Sequence, residues 1–228
     1  MEKHTVSASL TDNTKYMNRA LPVKKSFDII ERTLIIGGQN SAFYFIDGFT
    51  KDEIMLKLMD SFLNISADDM PEDATSFSTS CIPYVEVDIL GDFDSIFKNL
   101  LSGVTCLFID GYEAAIAIDC RTYPSRSIEE PDKDKSLRGS RDGFVETIVF
   151  NTALMRRRIR DPHLIMEMYE AGTSTRTDVA LCYMSDRVDR ELLTTIQNKL
   201  EESKSQDLKM SQQSLAEALF QRKWYNPF

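Results

Sequence analysis

Between Leu100 and Cys120 the chain reads LLSGVTCLFIDGYEAAIAIDC, its most apolar stretch, interrupted by Asp110 and Glu113. A membrane span needs about 20 uninterrupted apolar residues, so this stretch must be buried within protein. The Asp110-Gly111 pair at its middle is a hairpin signal. It divides the stretch into two strands, Val104 to Ile109 and Tyr112 to Ile118. A tight turn there places Cys106 opposite Ala115. The cysteines Cys81, Cys106, Cys120 and Cys182 have no C-x-x-C spacing and read as reduced, buried thiols.

The segments before this hairpin predict the sheet it joins. Thr33 to Ile36 and Ala42 to Ile46 read as strands, the second ending at an Asp47-Gly48 turn. Thr50 and Glu53 have capping-box spacing for a helix with Ile54, Met55, Leu58, Met59, Phe62 and Leu63 on one stripe. Tyr84 to Ile89 alternates as a strand, with Val85, Val87 and Ile89 on one face. Asp92 then caps a short helix whose Phe93, Ile96, Phe97, Leu100 and Leu101 share a face, and Gly103 ends it. Further on, a helix is expected from about Asp142, with Phe144, Val145, Ile148, Val149, Thr152, Met155 and Ile159 on an apolar face, stopped by Asp161-Pro162. Strands at His163 to Glu170 and Thr177 to Met184, joined through Gly172, precede a helix at Arg187 to Leu200 and a last one near Ser214 to Arg222.

The expected architecture is α/β (α+β), two small lobes each with a mixed β-sheet covered by helices. The 228 residues are enough for two such lobes. The expected divisions are a polar amino-terminal arm at 1–26, a first subdomain at 27–120, a charged connection at 121–142 and a second subdomain at 143–228. The opening MEKHTVSASLTDNTK lacks the apolar core of a secretory signal.

Charge is unevenly distributed. Residues 121–160 hold eight of the fourteen arginines together with Lys133 and Lys135, ten basic side chains against six acidic ones. This window is therefore +4, leaving −13 for the rest of a chain whose total is −9. Arg156, Arg157, Arg158 and Arg160 surround the helix axis, so some approach the protein body. A guanidinium held near a core needs a carboxylate or carbonyls for its fork, which points to structural ion pairs of Arg156, Arg157 and Arg158 with acids such as Glu129, Glu130 or Glu146. The same run also reads as an ordinary solvated face. Nucleic acid is not an expected partner, because the chain is acidic and the window's aromatics, Tyr123, Phe144 and Phe150, form no stacking pattern. Small residues Gly139, Ser140 and Gly143 beside Arg138 and Arg141 suit an anionic ligand better.

Catalytic classes are poorly supplied. His4 and His163 are the two histidines, which argues against zinc sites and histidine-based catalysis. No glycine pattern forms a phosphate-cradling loop, and no cofactor is expected. Paired carboxylates among Glu129, Glu130, Asp132 and Asp134 lie where a shifted pKa is hard to create.

The stretch SIEEPDKDKSLRGSRDGFVETIVFNTALMRRRIRDPHL resembles the signature of GerA-type A subunits of spore nutrient germinant receptors. Glu130-Pro131, Arg138-Gly139-Ser140-Arg141-Asp142-Gly143-Phe144, Glu146, Asn151, Leu154, Arg156 to Ile159 and Asp161-Pro162 match that signature in order, with Ser140 where the family usually has proline. CLFIDGYEAAIAIDCR and GTSTRTDVALCYM extend the likeness over roughly residues 30–228, up to WYNPF ahead of the family's membrane domain. The resemblance implies a non-enzymatic soluble domain that helps sense a small nutrient (amino acid, sugar or nucleoside) with B and C subunits in the spore inner membrane, probing from the cytoplasmic (spore core) side. It offers Arg138, Arg141, Asp142, Glu146 and Asn151 as ligand or interlobe residues, working through rearrangement of two lobes. A non-sensing scaffold, or the related sporulation-operon homologue, is the alternative, and for the arginine box a buried structural network is the competing role.

Overall fold

The computed structural model describes residues 4–82, 86–122, 143–204 and 215. It divides into two units, Met1–Pro162 and His163–Phe228. The division thus falls after Pro162 and not at 142, and the helix expected to open the second subdomain belongs with the first unit.

The first unit is built on a hairpin turned by Gly37-Gly38, both at positive φ of 53° and 79°. Two consecutive left-handed residues match the twist of the flanking strands. The turn joins β1 (Ile29–Ile36) to β2 (Gln39–Ile46) and pairs Ile36 with Gln39. With β3 (Val87–Leu90), β4 (Thr105–Ile109) and β5 (Ala115–Ile118) these make a five-stranded sheet in the order β1-β2-β4-β5-β3. Every pairing in it is antiparallel rather than mixed.

Among the described residues of this unit are the α-helices α1 (Leu10–Ala20), α2 (Asp52–Leu63), α3 (Ala74–Ser80), α4 (Phe93–Leu101) and α5 (Ile148–Arg158). Successive strand residues point to opposite faces, and each face has its own core. Phe43, Leu107 and Ile116 pack with Leu58 and Phe62 of α2 and Phe77 of α3. Ala42, Tyr44, Cys106 and Phe108 pack with Met17 of α1 and Phe93, Ile96 and Leu100 of α4. Because both faces are covered, β4 and β5 are buried at every position. An antiparallel sheet with a wet face would alternate instead.

Several expectations are corrected in detail. The stretch 1–26 is no loose polar arm, since α1 is capped by Ser9 and inserts Met17 and Leu21 into the core. Thr50 caps no helix. Lys51 occupies the cap of α2 without a side-chain bond, and Thr50 forms a bridge with Arg121. Leu63, at the end of α2, is exposed. The β4–β5 register sets Cys106 opposite Ala117, two residues beyond the tight-turn register. The cause is Asp110, whose N–H donates to Asn40 O and whose carboxylate accepts from Leu10 N, while Gly111 N donates to Ala8 O. These bonds pin the turn residues to neighbouring loops, and a shift of two preserves the side-chain faces. Cys81 and Cys182 are half-buried, whereas Cys106 and Cys120 are buried, and loss of water pushes their thiols up to about 12 and about 11.

The second unit is an antiparallel hairpin of β6 (Leu164–Ala171) and β7 (Thr177–Met184) with α6 (Arg190–Ser203). Ile165, Tyr183 and Leu193 form its apolar cluster. Asp189 caps α6, which starts later than Arg187, and Leu192 is exposed. The helix expected near Ser214 lies outside the described residues apart from Leu215.

Candidate functional site

Helix α5 carries the described part of the arginine box, and its sequence is polar on the side that packs. Its buried residues are Thr152, Ala153 and Arg156. The helix begins at Ile148 and not at Asp142, leaving Phe144 exposed. Asn151 holds the preceding turn through both halves of its amide. Its Oδ1 accepts from Val145 N, and its Nδ2 donates to Val145 O, each at 2.7 Å.

Arg156 is fully buried, with 0% exposure. Its Nε donates to Asp28 Oδ2 at 2.7 Å and its Nη2 to Asp28 Oδ1 at 3.2 Å. Nη1 reaches Asp161 O at 3.0 Å, and Nη2 reaches Ser26 Oγ at 3.5 Å. Ser26 Oγ in turn donates to Asp28 Oδ1 at 2.5 Å. The forked donor and the carboxylate thus meet in bidentate geometry, which makes a buried charge pair tolerable. Asp28 stands just ahead of β1, 128 residues from Arg156. Nothing in the local pattern SFDII distinguishes it from a solvated loop acid.

Beside this pair, the turn between β2 and α2 and the entry to α5 enclose a cleft of about 430 Å³ lined by residues including Phe45, Asp47, Lys51, Thr122, Thr147 and Phe150. Gly48 lets the turn approach α5. A Cβ there would lie 3.1 Å from both Ala153 Cβ and Val149 Cγ1, at φ +78°. Asp47 has its carboxyl raised above the ordinary range, chiefly by burial and further by the charges of Asp28 and Asp52, against the Gly48 N–H that lowers it. Thr122 and Thr147 bring both flanks of the charged connection to the cleft. On one flank Arg121 is fixed by a bidentate pair with Asp119, whose carboxyl its hydrogen bonds hold below the ordinary range.

The sequence-derived candidates distribute as follows. Arg138, Arg141, Asp142 and Glu130 lie outside the described residues, as do Glu129, Asp132 and Asp134. Glu146 is exposed ahead of α5. Asn151 spends its amide on Val145, and Arg156 its guanidinium chiefly on Asp28. Arg157 and Arg158 are exposed on the last turn of α5, and Arg157 O accepts from Arg160 Nε. In the second unit, Glu167 accepts from Tyr169 OH, Tyr183 OH and Gln197 Nε2 at 2.7–2.9 Å. This network ties β6 and β7 to α6, and burial, followed by the hydrogen bond and charge of Glu167, pushes the Tyr169 hydroxyl up to about 12 against the lowering bond of Gln197. Among the described residues no cluster of three His, Cys, Asp or Glu side chains could hold a metal ion, and no helix is long and apolar enough to cross a membrane.

Residues 15–228 match the family described as Bacillus/Clostridium GerA spore germination protein. Stage V sporulation protein AF of Bacillus subtilis (strain 168) is 31% identical over all of this chain and 46% of its own length. Spore germination protein KA of the same organism is 29% identical over 86% of this chain and 36% of its own length. The chain therefore spans less than half the length of these relatives. Its fold is similar to the crystal structure of the N-terminal domain of the A subunit of the Bacillus megaterium spore germinant receptor GerK3, with a TM-score of 0.68, 20% identity, and coverage of 91% of this chain and 75% of that one.

Proposed function

Because the chain belongs to the GerA spore germination family, we propose that it is the amino-terminal soluble domain of an A-type germinant receptor subunit, taking part in small-nutrient sensing without bond-making chemistry. The observation that carries this reading is the family match over residues 15–228. In the full-length protein a membrane domain follows and places the subunit in the spore inner membrane, with this domain on the cytoplasmic side. Its partners are the B and C subunits, and its ligand is an amino acid, sugar or nucleoside. Binding shifts the equilibrium between two arrangements of the lobes by the difference in affinity for them. Arg138, Arg141, Asp142 and Glu146 are assigned to the ligand or to the lobe junction. Asn151, with its amide already occupied by Val145, is assigned to positioning.

A second reading is favoured by a specific observation. A relative that aligns along the entire chain is Stage V sporulation protein AF, and Asn151 and Arg156 spend their polar groups inside the fold. In that reading the domain is a scaffold that assembles subunits while the ligand is held elsewhere. Titration of the chain with a nutrient panel by calorimetry and NMR separates the two. A nutrient that binds and is recovered unchanged supports the sensor. A uniformly silent panel supports the scaffold, and consumption of any nutrient overturns both. Spores carrying Arg141→Ala are expected to lose germination. Unchanged germination together with an unchanged melting temperature removes Arg141 from either role.

A further inference from the structure

We propose that α5 is a releasable strap, latched to the first unit by the buried Arg156–Asp28 ion pair and able to leave as a whole while the five-stranded sheet stays folded. The proposal concerns the helix alone and stands whether or not the domain binds a nutrient.

Helices normally dock through apolar area, at roughly 25 cal/mol per Å² removed from water. Among its fully buried residues helix α5 offers little of it, and its larger apolar side chains Ile148, Val149, Leu154 and Met155 are half-buried. Of its three buried residues, Ala153 contributes one methyl group, and Thr152 turns its hydroxyl onto Ile148 O and Val149 O of its own helix. Phe150 remains 43% exposed and Ile159, at the cap, 39%. Directed bonds to the rest of the unit come from Arg156 to Asp28 and Ser26.

A latch of this kind has two stable positions. When docked, guanidinium and carboxylate satisfy one another, and when fully withdrawn, water hydrates both. Partial withdrawal leaves two unpaired charges in a dry site, the most unfavourable arrangement. Docking is therefore all-or-none.

The bonds at the two ends of the helix divide along the same line. The Val145–Asn151 clamp and the Arg156–Asp161 carbonyl bond have both partners on the α5 segment and travel with it. Among the described contacts, release removes the fork on Asp28 and Ser26 and the close packing of Val149 and Ala153 on Gly48. The receiving half stays organised, because Ser26 Oγ still donates to the Asp28 carboxylate and Asp47 N to Asp28 O. In sequence α5 lies between the polar connection and Pro162, where the first unit ends, so no sheet strand has to break for it to move.

Amide hydrogen exchange on the 228-residue chain tests the latch. In the wild type, α5 amides are expected to exchange roughly tenfold or more faster than those of β4 and β5, the mark of a local opening. Asp28→Asn is expected to speed α5 by roughly another tenfold or more and to leave β4 and β5 unchanged. Arg156→Lys, which keeps the charge and loses the fork, should fall between the two. The proposal is overturned if α5 and β4 exchange at one rate in the wild type, if Asp28→Asn accelerates all elements together, or if that variant does not fold.

Discussion

Helices α4 and α5 belong to the same unit and have similar lengths, nine and eleven residues, yet they are held by opposite means. Helix α4 buries Phe93, Ile96, Leu100 and Leu101, a continuous apolar face against the sheet. Helix α5 buries a threonine, an alanine and an arginine. Apolar contact is non-directional and tolerates small displacements, whereas a forked ion pair is satisfied in one geometry and costly nearby. The difference teaches that one unit can combine a permanent wall with a helix that has a defined off position.

The strongest test of that contrast is Leu100→Ala, expected to cost about 2–5 kcal/mol in urea unfolding because it leaves a cavity under α4. A loss below about 1 kcal/mol would break the comparison on its apolar side. Asp28→Asn comes next. It would cost about 3–5 kcal/mol if α5 had to stay in place. Because the helix can leave, the loss in global unfolding is expected to be smaller than for Leu100→Ala and to surface in α5 exchange. A global loss exceeding that of Leu100→Ala would show that the polar anchor also belongs to the permanent wall.

A finer test lies at the start of α4. Asp92 accepts from Ser95 N at 2.9 Å, so Asp92→Ala should cost about 1 kcal/mol by thermal melting. An unchanged melting temperature would mean that the apolar face holds α4 without its cap. The smallest effect is expected at Asp47, beside the anchor. A carboxyl raised in the folded state favours folding most when protonated, and that contribution is lost as pH rises through its folded pKa. Asp47→Asn is therefore expected to stabilise the unit near neutral pH, and the gain should vanish below the ordinary value of 3.8. A gain that persists at low pH would refer the effect to something other than charge.

Legibility in the sequence follows the same division. The face of α4, its Asp92 cap and its stop at Gly103 were readable because apolar residues three and four apart share a side and caps act within a turn. The strands of LFIDGYEAAIAI were readable because a long apolar run with one Asp-Gly has few alternatives. Their register was not, since Asp110 is captured by Leu10 and Asn40. Helix α1 escaped because most of its residues are polar and a buried Asn13 interrupts its apolar face, although Leu10, Tyr16 and Met17, with Leu21 just beyond its end, pack on the core. The strands of the first hairpin were readable at Thr33 to Ile36 and Ala42 to Ile46, while its Gly37-Gly38 turn emerged only from the structure.

The candidate site was legible as a composition and illegible as a geometry. Ten basic side chains between residues 121 and 160 announce that guanidinium chemistry matters there, and the ordered motif around Asn151 and Arg156 announces the family. Which acid receives Arg156 was open, with Glu129, Glu130 and Glu146 as the expected partners. The chain by itself thus determined what obeys short-range rules: helix stripes, caps, turns and the need to bury the segment around Asp110. Tertiary structure alone decided that Asp28 meets Arg156 and that the Asp47 carboxyl is half-buried beside Asp28, because charges act through space and burial, and residues 128 positions apart become neighbours only when the sheet has formed.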